Sequence, residues 1–413
     1  MKGNGNYTHF LLQIQVFKGV CSNILLILFP FKKEMVKFNV KNNSILSSKK
    51  VKFMQALLET LYTLELHSNN FIPRKIVLDF QSYIIKGVSQ SGKTMLVKQY
   101  LSSLSENYLY IDCHDIRIDT LQLNETLQQF CDENKIKTLV LNHYNKNIKV
   151  PDIQQVILCT EESIHHILEK HLVDNYIQLN LYPLDFEEFL AYEHKFDSTA
   201  LNHFFQLGGF PKMHQLQSDE RTLYLQSILK NAFTALEFSI FQHAIIHQTT
   251  KLSAFSLYER LKQNMKISKD KTYETLNHLV DRSYLYQLEK YLHPRATKKI
   301  YICDTALKDA FTTSKNFVRL FENSIFLELV KMKFTSYYHD DIDFYLPEHN
   351  KIIFCMPFSD ERALFKKLEK IEAFIFQYQV ENIVAITMNH EAQLSHPFAN
   401  VEMLPFSTWA ILE

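Results

Sequence analysis

Glycine is nearly missing from this chain. There are 7 glycines in 413 residues, where ordinary usage would give roughly 29. Tryptophan occurs once, and the six cysteines (Cys21, Cys113, Cys131, Cys159, Cys303, Cys355) are far apart, with no CxxC pair. That spacing offers neither a disulfide framework nor a zinc site. Cys113 and Cys159 fall in apolar runs, where cysteine acts as a small hydrophobe, and a reducing cytoplasm fits this usage. The 18 histidines are scattered without an HExxH pattern, and His165-His166 reads as a surface pair rather than as metal ligands. Net charge is also absent, 45 basic against 45 acidic residues. Nothing in that balance demands a nucleic-acid partner, although a local basic face stays compatible with it. Long hydrophobic runs are lacking as well. Residues 20–31 are apolar but short of the roughly 20 residues that span a bilayer, so no membrane association is expected. No small-residue cleavage site follows them. Residues 1–34 read either as a leader or as an extension ahead of a start at Met35.

What is present is globular. Hydrophobic residues make up 46% and aromatics 13%, with 32 Phe and 21 Tyr, enough to bury real cores. The length suggests two to three domains. Residues 51–80 carry apolar positions near a 3.6-residue period and predict a helix. Five short apolar runs then alternate with helical or polar stretches: Tyr83–Lys86, Tyr108–Cys113, Thr138–Leu141, Gln155–Cys159 and Tyr176–Leu181. This alternation predicts an α/β domain with a parallel sheet covered on both faces.

The first run leads into GVSQSGKT, residues 87–94. This is the phosphate-binding pattern G-x-x-x-x-G-K-[ST], placed between a strand and the helix predicted for Thr94–Leu104. Beyond Gly19 only Gly87, Gly92, Gly208 and Gly209 remain, so two of the last four glycines serve this loop. Backbone N–H groups of Ser89, Gln90, Ser91, Gly92, Lys93 and Thr94 would converge on an anion at a helix N-terminus. Lys93 would bridge the terminal phosphates, and the Thr94 hydroxyl would hold Mg²⁺. ATP with Mg²⁺ is the expected ligand.

Hydrolysis needs an acid at a neighbouring strand end. The third run ends in Asn142-His143 instead. Asn142 can bond a metal-bound water without bringing charge, and His143 is either a base or a surface histidine. The fourth run ends in Cys159-Thr160-Glu161-Glu162. Thr160 is placed to contact the γ-phosphate. Glu161 or Glu162 is either a displaced base or an acidic pair favoured by a helix dipole.

Residues 253–305 read as helix (Phe255–Asn264), turn, helix (Lys269–Asp281, with Ser268 as N-cap) and hairpin (283–291 with 298–305). That order predicts a winged helix. Lys269, Lys271 and Tyr273 would face a nucleic-acid groove, with Arg295, Lys298 and Lys299 as a basic wing. The other reading is a packing module with an ordinary solvated face. From about residue 313 the chain returns to mixed α/β.

KGVSQSGKTMLVKQYL, ILCTEES, LYPLDFEEFL (181–190), GGFP (208–211), KKIYICDT and FENSIFLEL (321–329) together resemble a prokaryotic AAA-type P-loop ATPase family. Its members join an ATP-binding domain to a C-terminal domain of unknown function, and the resemblance spans residues 83–413. After the helical segment read from periodicity and bounded at 35–80, it implies a P-loop domain over 81–212. It also implies a helical and winged-helix region over 213–312, and a PD-(D/E)xK nuclease-like domain over 313–413. This chain departs from the family in three places. Asn142-His143 replaces the acidic pair. Asp174-Asn175 stands where an arginine is expected. Phe354-Cys355-Met356 stands where the nuclease E-x-K is expected, although Glu322, Glu328 and Asp343 match acidic positions. Nuclease activity is therefore not expected. The leading reading is an ATP-binding protein with weak or absent hydrolysis. An ATPase using a displaced acid, and a DNA-binding regulator acting through the winged helix, are the alternatives. Gly208-Gly209 reads as a helix cap.

Overall fold

The computed structural model describes residues 50–64, 66, 71–168, 173–193, 198–313 and 316–412. The leader at 1–34 lies outside the described residues. Helix α1 (50–62) buries Met54, Leu57 and Leu58. It does not continue to residue 80: residues 71–82 form neither helix nor strand. Pro73 lacks a backbone donor and disfavours the helical conformation at Ile72, and Ile72 and Leu78 are buried from this irregular segment.

Strands β1 (Tyr83–Lys86), β2 (Tyr108–Asp112), β3 (Thr138–Asn142), β4 (Gln155–Thr160) and β5 (Ile177–Asn180) form one sheet in the order β2-β3-β4-β1-β5. Every pairing in it is parallel. Side chains alternate between its faces. Ile84, Leu109, Leu139 and Leu158 meet α1 and helix α3 (Thr120–Glu133), while Ile85, Val140, Ile157 and Cys159 meet helix α2 (Lys93–Ser102). Both faces are covered over β1, β3 and β4, which is why those strands read as continuous apolar runs, whereas the edge strand β5 is mostly exposed. Cys159 is buried as expected, but Cys113 follows the end of β2 and is only half-buried. With GVSQSGKT between β1 and α2, this is a P-loop NTPase domain. β1 lies between β4 and β5, so the loop opens at the carboxyl end of the sheet beside the point where strand order reverses.

After β5, a short helix α5 (Phe186–Glu193) and α6 (Ser198–Leu207) leave this sheet. The boundary expected at 212/213 is therefore not where the cores divide. Phe186, Phe189, Phe204 and Phe205 share a core with Phe321, Phe406 and Trp409 of the C-terminal part. Four helices follow: α7 (Ser218–Ala232), α8 (Ala235–Ile246), α9 (Ala254–Leu261) and α10 (Lys269–Asp281). Ser268 caps α10 by accepting the Lys271 N–H at 3.2 Å. An antiparallel hairpin, β6 (Leu285–Leu288) with β7 (Lys299–Ile302), packs its Leu285, Ile300 and Ile302 into the same helical core.

Helix α11 (Phe317–Lys331) precedes β8 (Tyr337–His339), β9 (Ile342–Leu346) and β10 (Lys351–Cys355). Helix α12 (Glu361–Gln377), β11 (Asn382–Thr387), β12 (Ala392–Leu394), β13 (Asn400–Pro405) and helix α13 (Phe406–Leu412) complete the chain. The sheet order is β12-β13-β11-β10-β9-β8. Its three central strands are parallel and the outer ones antiparallel.

Gly208 and Gly209 join these parts. Gly208 ends α6 at φ +68°, its N–H donating to Phe204 O at 2.9 Å, which is the cap read from the sequence. The pair also has no room for a side chain. A Cβ on Gly208 would run into Asp304 Oδ1, and one on Gly209 into Leu184 O. Gly209 N–H donates to Asp304 Oδ2 at 2.7 Å, Ala306 N–H donates to Asp304 Oδ1 at 2.8 Å, and Leu184 N–H donates to Gly209 O at 2.7 Å. GGFP and CDT thus meet at one buried carboxyl, and PLDFEEFL joins them through Gly209. Its burial, against those backbone donors, pushes the Asp304 pKa up to about 6. Glu328 of α11 is buried nearby, accepting the Phe186 N–H at 3.3 Å, and burial pushes its pKa up to about 7.

Gly208→Ala combines a left-handed residue, about 1–2 kcal/mol, with overpacking, about 1–3 kcal/mol; urea unfolding should register a loss of about 2–5 kcal/mol. Glu328 has a folded pKa above its unfolded value, so its neutral form is favoured by folding. That stability is complete below about pH 4.5 and is lost as pH rises through about 7, a change on the order of 3 kcal/mol. Glu328→Gln should flatten this slope, so that the variant gains on the parent protein in urea midpoints between pH 4.5 and 7.

Candidate phosphate-binding site

The loop is built as an anion cradle. Gly92 is the N-cap of α2 at φ +102°, a conformation costly for other residues. No side chain caps this helix and no acid lies in its first turn, so its first N–H groups stay available to a ligand. Ser91 Oγ is buried with no partner. Lys93 is buried, and its Nζ donates to Gly87 O at 2.7 Å and Val88 O at 3.0 Å. Burial lowers its pKa, with the Glu161 carboxylate pulling the other way. The Thr94 side chain lies beside the Tyr110 hydroxyl. Gln90 takes φ +65°, and its Oε1 accepts the Tyr224 hydroxyl at 3.3 Å. A cavity of about 420 Å³ opens here, lined by Arg74, Ser89, Gln90, Lys93, Thr94 and His143 among others. An orphaned hydroxyl, an uncapped helix start and a buried lysine fit a polyphosphate.

Arg74, unnoticed in the sequence, braces the loop from the irregular segment. It donates to Ser91 O at 2.8 Å, Tyr182 O at 2.7 Å and Glu188 Oε1 at 3.0 Å. Glu188 belongs to PLDFEEFL, so that motif supports the phosphate loop through a buried ion pair.

The strand ends supply an acid that the sequence reading missed. Parallel register sets Asp112 of β2 beside Asn142 of β3. Asn142 Nδ2 donates to Asp112 Oδ2 at 3.3 Å, and His143 Nδ1 lies 2.8 Å from Asp112 Oδ1. Burial would raise the Asp112 pKa, but His143, the His114 N–H and Asn142 hold it below the usual carboxylate range. His114 stacks on His143, ring centroids 4.1 Å apart. An acid at the end of an apolar run, in YIDCHD, was the available signal. Thr160, buried at the end of β4, accepts the Glu162 N–H at 3.0 Å.

Glu161 and Glu162 are tied to the helical region. Arg282 Nη2 lies 2.5 Å from Glu161 Oε2, with Glu237 Oε1 at 3.3 Å and Glu162 Oε1 at 3.7 Å from other guanidinium nitrogens. His278 bridges Glu162 at 3.1 Å and Glu237 at 2.8 Å. Tyr284 donates its hydroxyl to Glu161 Oε2 and accepts the Ser89 N–H, both at 3.0 Å. A cleft of about 1140 Å³ separates the two regions here, lined by His114, His143, Thr160, Glu162, Lys271 and Arg282 among others. Neither Arg282 nor Tyr284 carries a local sequence signal.

The remaining expected residues lie elsewhere. Asp174 and Asn175 are exposed in the turn before β5, and His165 and His166 are exposed on the short helix α4 (Ile164–Ile167). Lys299 is withdrawn from any basic wing: it is largely buried and bonds Glu322 at 2.9 Å. Lys298 pairs with Glu289 at 2.6 Å, and Lys271 pairs with Glu274 at 3.0 Å. Lys269 lies over the Phe255 and Tyr273 rings, and Arg295 is exposed at the hairpin tip. Glu322 and Asp343 come together electrostatically, neutralised by Lys299 and Lys367 (Asp343 Oδ2 to Lys367 Nζ 3.1 Å), while Glu328 points to PLDFEEFL instead. Among the described residues, no helix is long and apolar enough to cross a membrane.

Residues 79–190 match the family model described as an AAA domain. An uncharacterised protein of Methanocaldococcus jannaschii is 24% identical over 412 aligned positions, covering 82% of this chain and 89% of its own length. An uncharacterised protein of Haemophilus influenzae is 24% identical over 307 positions, covering 60% of this chain and 74% of its own. Among solved structures, the Walker-type ATPase of Pyrococcus abyssi aligns at 12% identity and TM-score 0.39, covering 64% of this chain and 94% of that one. With the parallel sheet and the loop it carries, the family match supports an AAA-type P-loop ATPase domain over residues 79–190.

Proposed function

We propose that this protein binds ATP as a conformational ligand, with weak or absent hydrolysis. Gly87–Thr94 would hold the phosphates, Lys93 their terminal charge, and the Thr94 hydroxyl Mg²⁺, which supplies electrostatic neutralisation of the phosphoryl oxygens. The observation that carries the reading is the Ser89–Tyr284 bond. One of the cradle's own N–H groups is occupied by a hydroxyl from the helical and hairpin region, and that hydroxyl also holds Glu161. A phosphate in the cradle competes for Ser89 N–H and draws Lys93 away from its carbonyls. Filling the site therefore loosens the contact between the P-loop domain and that region. Weak hydrolysis follows from the acids: Asn142 is neutral, and Glu161 is committed to Arg282 and Tyr284.

One observation favours the alternative of an active ATPase. The Asp112 carboxylate stands where Asn142 lacks one, so the acid is displaced by one strand. The winged-helix reading of 253–305 keeps its element order, but a DNA contact loses Lys298 and Lys299 to ion pairs.

Isothermal titration with Mg-ATP should give saturable binding that Lys93→Ala abolishes, with phosphate release near background on the same sample. Unchanged binding in Lys93→Ala sinks the proposal. Release well above background that falls about 10²-fold or more in Asp112→Asn would instead establish the displaced-acid ATPase. Tyr284→Phe removes the competitor for Ser89 N–H, a bond of about 0.5–1.5 kcal/mol, and should tighten nucleotide binding about two- to tenfold.

A further inference from the structure

We infer that Asp112, His114 and His143 form a binding site for a divalent transition-metal ion at the rim of the phosphate cavity. One ligand atom from each lies within 4.8 Å of the others. The three sit on two adjacent strand ends: register fixes Asp112 beside Asn142, and His143 follows directly at φ +54°. A sharp left-handed turn at the end of β3 thus brings the imidazole back over the Asp112 carboxylate. Donors sharing an ion at about 2.0–2.2 Å stand roughly 3–3.5 Å apart, so rotamer adjustments of about an ångström close the set.

A second feature points to a ligand here. Asn142 is 1% exposed, its amide nitrogen lies within 3.3 Å of Asp112 and 3.1 Å of His143, and its buried Oδ1 has no hydrogen-bond partner. A half-turn of the carboxamide exchanges nitrogen for oxygen and presents a fourth donor to the cluster.

The donor set specifies the ion class. Mg²⁺ takes oxygen ligands and keeps its waters. Two imidazoles with one carboxylate suit divalent first-row transition ions, Fe²⁺, Co²⁺, Ni²⁺ and Zn²⁺ among them. Three protein ligands leave positions open for water or a phosphate oxygen. His143 lines both the phosphate cavity and the interdomain cleft. That the ion would meet a nucleotide phosphate rests on the proposed function above; that it binds does not.

The test uses the full chain, stripped with a chelator and titrated with Co²⁺ without nucleotide, followed by visible absorption and equilibrium dialysis. One saturable equivalent is expected. It should weaken at least about tenfold in His114→Gln and in the His114→Gln/His143→Gln double variant, and persist in Lys93→Ala. No saturable equivalent in the parent protein overturns the proposal, as does an equivalent unchanged in the double variant. Circular dichroism checks each fold. Should the double variant unfold, His114→Gln decides alone, because that side chain is exposed. Loss of ATP binding in Lys93→Ala with Co²⁺ retained separates this site from the cradle.

Discussion

A buried guanidinium holds the nucleotide domain to the rest of the chain. Arg282 lies at the end of α10, and its side chain is 9% exposed amid Glu161, Glu162 and Glu237. Two of these acids come from the end of β4 and one from α8. Removing one member of such a group leaves an uncompensated buried charge, a cost of about 3–5 kcal/mol. The arrangement is therefore close to all-or-none. It also fixes Tyr284, two residues on, whose hydroxyl spans Glu161 and the phosphate loop. Interdomain geometry and the state of the cradle thus depend on the same few atoms.

The second constraint is steric. Asp304, Gly208 and Gly209 form a joint where three chain segments meet with no space for a Cβ. Glycine is scarce in this chain, and the pair is retained where α6 must end and where Leu184 and Asp304 approach the backbone. The same segment carries Phe204 and Phe205 into an aromatic core with Phe321 and Phe406. PLDFEEFL consequently faces two ways: Glu188 braces Arg74 and the phosphate loop, while Phe186 and Phe189 enter the C-terminal core. Nucleotide domain and C-terminal sheet are welded along one short motif, which is why a boundary at 212 does not separate their cores.

Local patterns were legible in the sequence and nonlocal pairings were not. The five strands, the loop, α2 and α10 follow from apolar runs, a fixed motif and a Ser268 cap, each contained within a few residues. Helix α1 is shorter than its apolar periodicity suggests, and Pro73 disfavours the helical conformation at Ile72. Asp112 escaped notice because its meaning lies in its neighbour across the sheet. Asn142 looks like a lost acid only until register sets the Asp112 carboxylate beside it. Arg282 is the analogous case for the arginine absent at Asp174-Asn175: a cation does stand at the acids after β4, delivered from more than a hundred residues downstream. Lys299 illustrates the opposite error, since a basic residue in a hairpin became the buried partner of Glu322.

These pairings bear on how a phosphate would be bound. In this conformation two of the cradle's donors are already engaged: Lys93 with Gly87 O and Val88 O, and Ser89 N–H with the Tyr284 hydroxyl. At Lys93 and Ser89, binding is then an exchange of hydrogen bonds, while the uncapped start of α2 adds new ones. Exchange yields less net free energy than the charge-assisted bonds alone suggest, about 1.5–3 kcal/mol each before the lost contacts are subtracted. On the proposed reading the difference would appear as release of Tyr284, one of the two groups that hold Glu161. On that reading, such a site would give up affinity in order to couple occupancy to the position of the helical region, and the commitment of Glu161 to Arg282 and Tyr284 would withdraw it from the role of general base.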